Sequence, residues 1–236
     1  MDWKNRVYPH GQWEMLAEGV WQISGHLAHG PMSRNMVVAR LASGGLFLHS
    51  VICLNEEAMK QMENFGKPEI MVVPNPLHRL DAAAYLERYP DLKVICPQSI
   101  VDKVQMKVKV SDTVESLAPV AGFMFHRIQG VKSSERAYEF GPEGNRVLVV
   151  CDVLMNMPNY SGVMGKIMRW MGSTGFFGMT RIGRWGLLKN REAFVNWLVE
   201  MSNREDLKIL SMAHGEAIRE QFSNRLKEAA RRLKDD

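Results

Sequence analysis

An almost uninterrupted apolar run, EIMVVP at 69–74, constrains the fold most, because a strand without polar alternation has to be covered on both faces. A helix-like stretch near 80–88 and a second strand-like run, KVICP at 93–97, follow it. Upstream, β-like runs at 35–41 and 45–51 are joined by ASGG, which is typical of a hairpin turn. Strands that first pair in hairpins and then alternate with helices predict a layered α/β protein.

Local signals also predict helices and late strands. Asn55 is a suitable N-cap for a helix that Gly66 would end. Apolar runs at 146–153 and 207–215 predict two strands in the second half of the chain. The final helix is predicted to bury one face, formed by Ile218, Phe222, Leu226, Ala229 and Leu233.

Composition limits the class of protein. With 236 residues, 46% of them apolar and 24% charged, and no visible linker, the chain is predicted to form a single globular domain over 1–236. No apolar run is long enough to span a membrane, and the first residues are too polar for a secretory signal. Cys53, Cys96 and Cys151 each lie in an apolar run without CxxC spacing, which predicts buried thiols and a cytoplasmic protein.

Three polar residues stand beside apolar, strand-like runs. His78 follows the run at 69–74, Asp152 stands in VLVVCDVL, and His214 stands in ILSMAHG. In order and setting they resemble the metal-ligand positions of the metallo-β-lactamase superfamily, in particular an uncharacterised branch with PN..H in place of the full HxHxDH motif. The resemblance runs from about residue 20 to the end, outside 156–191. It implies an α/β fold, a four-layer αββα sandwich of the metallo-β-lactamase type.

The family's first metal site has no counterpart in this chain. Val73, Asn75 and Val131 stand where the resemblance places its three histidines. Leu77 stands where the HxHxDH motif has its aspartate, which is a ligand of the second metal. The chain therefore resembles the family with a degenerate metal site.

The second metal site is largely retained. The resemblance implies that His78, Asp152 and His214 are three of its four ligands, with Asp152 and His78 also catalytic. Two imidazoles and one carboxylate with an open position form a ligand set of catalytic zinc or non-haem iron. The implied cofactor is one zinc, iron or manganese ion. Each residue also has a structural interpretation, as a cap or a loop corner, in which no metal binds.

Other polar residues are candidates for contacting a substrate. An imidazole behind the site could orient a ligand, a polar turn after 130 could hold an anionic group, and arginines favour carboxylate or phosphate. The candidates are His49, Lys132, Ser133, Arg181 and Arg184. A Ser–His–Asp triad built on Ser50 or Ser133 is a weaker alternative, because neither serine lies in a G-x-S-x-G elbow.

The segment 156–191 is rich in methionine, glycine, aromatic and basic residues. No acidic residue occurs between Asp152 and Glu192. The favoured interpretation is a lid over an apolar, acidic ligand such as an acyl or aromatic acid. A helical hairpin packed on the body ranks second, and an amphipathic segment that docks on a membrane or partner ranks third. The pattern of an RNA-binding sheet is absent from the sequence, so nucleic acid is not expected as a partner.

Three function classes stay open. The first is a metal-dependent hydrolase, with a mononuclear centre, that cleaves an ester, thioester, lactone or phosphoester. The second is a non-catalytic relative that binds a small acidic ligand. The third is a surface-docking protein that uses 156–191.

Overall fold

The chain consists of two compact units. The computed structural model describes residues 2–28, 32–117 and 122–235, and contacts divide the chain into Met1–Phe125 and His126–Asp236. Each unit has its own cluster of buried apolar side chains. That the chain acts as a single domain stays a prediction.

The first unit contains a seven-stranded sheet. Its strands are β1 (Glu14–Ala17), β2 (Val20–His26), β3 (Ser33–Arg40), β4 (Leu46–His49), β5 (Pro68–Val72), β6 (Lys93–Cys96) and β7 (Asp112–Thr113). They lie in sequence order, antiparallel from β1 to β4 and parallel from β4 to β7. The change to parallel pairing requires crossover connections, which the intervening helices supply. The strands predicted in this part of the sequence are confirmed as β3 to β6, whereas β1 and β2 have no counterpart among the predictions.

Helix α1 (Glu56–Phe65) shows how local sequence defines an element of this unit. The side chain of Asn55 accepts a hydrogen bond from the Ala58 amide at 2.9 Å, and Gly66 is the C-cap. The predicted helix is therefore confirmed with both of its end signals. The other helices of the unit are α2 (Ala82–Arg88) and α3 (Val101–Gln105), with 3-10 turns at Lys4–Arg6, Pro76–Arg79 and Gln98–Ile100.

A four-stranded sheet belongs to the second half of the chain. Its strands are β8 (Phe123–Arg127), which contains the division between the units, β9 (Arg136–Phe140), β10 (Arg146–Val150) and β11 (Leu207–Met212). The order is β11-β10-β9-β8, with β10 antiparallel to β9 and parallel to β11. The helices are α4 (Gly162–Trp170), α5 (Arg181–Leu187), α6 (Arg191–Ser202) and α7 (Phe222–Asp235). The two predicted late strands are confirmed as β10 and β11.

The predicted face of the final helix is wrong at one position. Helix α7 begins at Phe222, and Ile218 precedes it. Ile218 instead forms an isolated antiparallel bridge with Leu210 of β11, through backbone hydrogen bonds of 2.8 and 2.9 Å. Apolar residues at helical spacing continue from the loop into the helix, so periodicity alone places the start too early. Gln221, with φ at 53°, marks the break in the backbone.

The three cysteines are free and buried, as the sequence predicts. Burial raises the pKa of the Cys96 thiol to about 12. Burial and the nearby Asp81 carboxylate likewise raise the pKa of the Cys53 thiol to about 12. Both groups are therefore neutral thiols near pH 7.

The segment 156–191 contributes the two short helices α4 and α5. Among the helices in the described ranges, none has the length and apolar character needed to cross a membrane.

Candidate functional site

Asp152 and His214 of the second unit lie together at the carboxyl ends of neighbouring parallel strands. Val150 of β10 pairs with Met212 of β11, so continuing that register places the two residues side by side. The carboxyl edge of parallel strands is a common location for ligand sites in α/β sheets. The two candidates, 62 positions apart in the chain by their numbering, are therefore brought together by strand pairing.

The contact between these side chains is close and shielded. His214 Nε2 lies 3.4 Å from Asp152 Oδ1, and the exposed fractions of the two side chains are 8% and 14%. Gly215, with φ at 95°, follows the histidine, and a Cβ atom there would lie 2.1 Å from the Asn156 carbonyl oxygen. Only glycine fits this turn without a backbone shift.

Cys151 adds a sulfur donor beside this pair. Its Sγ atom and a carboxylate oxygen of Asp152 lie within 4.8 Å of one another. Zinc in proteins is usually bound by carboxylate oxygen, imidazole nitrogen and thiolate sulfur atoms. The sequence predicts Cys151 only as a buried thiol. Its position next to a strand-end aspartate is the signal that could have identified it as a donor.

His78, in the first unit, makes a buried contact with Ser50. The Ser50 Oγ and His78 Nδ1 atoms are 2.7 Å apart, and both residues are almost fully buried. Ser50 follows β4, whose last residue His49 pairs with Val72 at the end of β5. His78 lies in the 3-10 turn after β5, so parallel pairing again brings a serine and a histidine to one sheet edge.

Ser50 occupies a backbone conformation that side chains seldom adopt. Its φ is 57°, in the left-handed region. A non-glycine residue there costs about 1–3 kcal/mol and persists where the surroundings enforce it, commonly at functional sites. The strained serine therefore orients the His78 ring through Nδ1, and a metal ion could bind that ring only through Nε2.

Three of the four positions where the resemblance places further ligands have structural roles here. Val73 and Val131 are buried in the apolar clusters of their respective units. The Asn75 side chain accepts a hydrogen bond from the Leu77 amide at 2.8 Å and so caps the turn that carries His78. Leu77 itself is 73% exposed, so its side chain is not part of a core.

The first unit also contains a cavity of about 440 Å³. The buried Arg34 lines it and donates hydrogen bonds from Nη2 to Asp81 at 2.7 Å and to the Val51 carbonyl at 3.0 Å. Arg6 reaches the other oxygen of Asp81 at 3.3 Å. Within the described residues, Arg34 Nε and Nη1 have no hydrogen-bond partner. These two donors suit a small anionic group.

The residues predicted to contact a substrate are scattered over both units. His49 is buried at the end of β4, in the first unit. In the second unit, Lys132 is exposed and Ser133 half-buried in the turn before β9. Arg181 is exposed at the start of α5, and Arg184 is half-buried within it. A substrate contact for each of the five stays a prediction.

Comparison with known proteins identifies the fold. No protein-family model matches this sequence, and no curated protein does. Among solved structures, the DIM-1 metallo-β-lactamase exposed to ceftazidime matches 95% of this chain and 98% of its own at 12% identity, with a TM-score of 0.64. A metallo-β-lactamase from Erythrobacter litoralis, with β-mercaptoethanol in its active site, covers 93% and 96% at 13% identity and a TM-score of 0.61.

A third similar structure is a metallo-β-lactamase with a single zinc ion, in a mono-zinc form. The metallo-β-lactamase FIM-1 from Pseudomonas aeruginosa, in a mono-zinc form, covers 96% of this chain and 97% of its own at 8% identity, with a TM-score of 0.62. Matches of this length confirm the fold class predicted from the resemblance. The chain therefore has the α/β fold of the metallo-β-lactamases.

Proposed function

We propose that this protein is a hydrolase with a single metal ion bound by Asp152, His214 and His78. The observation that carries the proposal is the shielded contact between Asp152 and His214 at the carboxyl ends of β10 and β11. A carboxylate and an imidazole this close can share one cation. The assignment of His78 as third ligand rests on the resemblance and on the Ser50 contact, which leaves Nε2 as the ligand atom.

The donor set fits zinc, iron or manganese. A bound ion of this kind lowers the pKa of a coordinated water toward about 7 and polarises a carbonyl or phosphoryl oxygen. Asp152 has two carboxylate oxygens, so one would hold the ion while the other would accept a hydrogen bond from a water molecule and orient it. The low exposure of Asp152 and His214 keeps bulk water from competing for these contacts. Cys151 is a further donor for a soft metal.

The proposal is tested by hydrolysis assays on metal-free and metal-loaded protein. The panel contains an ester, a thioester, a lactone and a phosphoester, each assayed after chelation and again after loading with zinc, iron or manganese. We expect turnover of at least one class, lost on chelation and restored by metal. Turnover that survives chelation would contradict a metal-dependent mechanism.

Restoring the missing carboxylate should strengthen metal binding. Leu77 is exposed and adjacent to His78, so Leu77→Asp adds the family's fourth ligand without opening a core. We expect the metal dissociation constant to fall by about 10-fold or more, because four ligands hold an ion better than three. Leu80→Asp is the matched control, since Leu80 is also exposed nearby and should leave affinity unchanged. Equal effects of both variants would mean that only overall charge has changed.

The Ser50 hydroxyl should act as a positioning group for His78. Ser50→Ala removes the 2.7 Å contact and should weaken metal binding by about 10–100-fold, which is typical for the loss of a group that orients a ligand. Ser50→Gly removes the same hydroxyl but also relieves the positive φ, so it should be about 1 kcal/mol more stable than Ser50→Ala. Metal titration and urea unfolding of both variants separate orientation from strain. Unchanged affinity in both would remove Ser50 from the site.

Binding of a small acid without turnover is a second candidate function. The observation that favours it is the buried Arg34 in the cavity of the first unit, with two donors that lack a partner among the described residues. Under this alternative, a short carboxylic acid would raise the melting temperature of metal-free protein, and no compound in the hydrolysis panel would be turned over.

A further inference from the structure

Helices α4 and α5 direct large apolar side chains toward solvent. Trp170 is 80% exposed and Trp185 is 90% exposed. The outward patch consists of five exposed apolar residues: Val163, Ile167, Trp170, Ile182 and Trp185. In α4 its members stand at i, i+4 and i+7, and in α5 at i and i+3, so each helix presents them on one face.

Both helices leave most of their large apolar side chains exposed, unlike a surface helix that only covers a core. Helix α4 buries Gly165 and Met168, which lie on the side opposite its exposed apolar face, and α5 buries Gly183. A helix that only covers a core turns its large apolar residues inward and its small or polar residues outward. Exposed large apolar side chains that share a helix face, rather than standing singly, indicate an interaction site on a globular domain.

Polar contacts join the two helices to each other and cap the second one. The Arg181 Nη1 atom donates to the Trp170 carbonyl at 3.3 Å, which links the start of α5 to the end of α4. The Thr180 hydroxyl accepts from the Gly183 amide at 3.0 Å and caps α5. The residues of the outward patch therefore belong to two helices that a hydrogen bond connects.

The charged residues of the segment that carries the outward patch, 153–191, are all basic. Lys166 and Arg169 are exposed on α4, Arg181 is exposed on α5, and the exposed Lys189 and Arg191 follow it. No acidic residue occurs from 153 to 191. A partner must therefore offer an apolar layer bordered by negative charge. A second copy of the chain is disfavoured, because it would bring two sets of cations face to face.

We propose that the outward patch docks this protein on the surface of an anionic lipid bilayer. Tryptophan favours the boundary between headgroups and acyl chains, where its ring is buried and its N–H stays hydrated. Lysine and arginine beside an interfacial helix are attracted to anionic headgroups. The helices lie on the membrane and do not span it. The inference is independent of the metal site, since none of the proposed ligands belongs to the patch.

The test is flotation of the full chain with vesicles of phosphatidylcholine, either alone or with one-third phosphatidylglycerol. We expect binding to the anionic vesicles and little to the neutral ones. Trp170→Ser/Trp185→Ser should weaken partitioning by at least about 10-fold, because each buried ring contributes a large apolar area. Lys166→Glu/Arg169→Glu should weaken it by at least about 25-fold, at roughly five-fold for each cation lost.

Matched controls lie on the first unit. Met106→Ser removes an exposed apolar side chain and Lys107→Glu/Lys109→Glu reverses two exposed charges, and both should leave partitioning unchanged. No binding to anionic vesicles, or binding that the double tryptophan variant retains, would overturn the proposal. The proposal would also be overturned if the wild type self-associated without lipid and the double tryptophan variant did not. That result would assign the outward patch to contact with a second copy of the chain.

Discussion

Replacing Asp152 by asparagine or His214 by glutamine is expected to weaken metal binding by more than about 100-fold. Each change keeps a polar side chain of similar size but removes one of the three proposed ligands. Loss of a group that merely orients a ligand already costs about 10–100-fold, so loss of a ligand should cost more. Because the two side chains are only 3.4 Å apart and shielded from water, a substitute ligand from solvent compensates poorly. The measurement is a competition titration against a chromophoric chelator.

The control for this experiment is a histidine outside the site. His26 is exposed at the end of β2, and His26→Gln should leave metal affinity unchanged. Hydrolysis, if observed for the wild type, should fall together with metal content in the Asp152 and His214 variants. Wild-type affinity in either variant would show that the pair is structural, and the metal-centre proposal would fail.

Replacing Arg204 by alanine should destabilise the second unit by about 3–5 kcal/mol. Arg204 donates to Glu139 Oε2 at 3.0 Å, and the Glu139 side chain on β9 is fully buried. His126 Nε2 lies 2.6 Å from the other carboxylate oxygen, and Arg204 also pairs with Asp206. Without the guanidinium, the buried carboxylate keeps His126 but loses its contacts with Arg204, and breaking a buried ion pair is costly. Urea unfolding measures the difference.

A surface pair provides the comparison for Arg204. Arg232 pairs with Glu228 at i,i+4 on α7, with both side chains partly exposed, so Arg232→Ala should cost less than about 1 kcal/mol. Similar losses for the two variants would mean that the Glu139 network adds no more than a surface ion pair.

The Glu139 network also predicts a pH dependence. Burial raises the pKa of Glu139, but His126 and Arg204 more than offset this and hold its pKa below the ordinary value of 4.5. A carboxyl with a depressed folded-state pKa stabilises the fold above its unfolded pKa, and this contribution is lost as pH falls through the folded value. The stability gap between wild type and Arg204→Ala should therefore be largest near neutral pH and shrink below about pH 4.5.

Elements with strong local signals could be predicted from the sequence. Helix α1 combines an Asn55 cap with a Gly66 end, and β10 is apolar throughout after Arg146, so each is determined largely by its own residues. Strand β2 includes Gln22, Ser24 and Gly25, which have weak strand propensity, and its place in the sheet depends on pairing with β3. Such tertiary determinants are not visible in a local pattern.

The site could be predicted in part. The resemblance indicated His78, Asp152 and His214 because each stands beside a recognisable strand. The hydrogen bond between Ser50 and His78 joins residues 28 positions apart and depends on a positive φ at Ser50. The two residues come together because β4 and β5 pair in parallel, and that pairing is not visible in the local sequence. The apolar surroundings of Cys151 are equally typical of an ordinary core cysteine, so the sequence alone does not identify it as a metal donor.

Metal stoichiometry tests the central claim most directly. Untagged wild-type protein, purified without chelator or added metal, would be analysed by elemental mass spectrometry and analysed again after dialysis against zinc. A mononuclear centre predicts about one zinc, iron or manganese ion per chain, and background levels in the His78→Ala and His214→Ala variants. No bound metal in the wild type, even after dialysis against zinc, would contradict it.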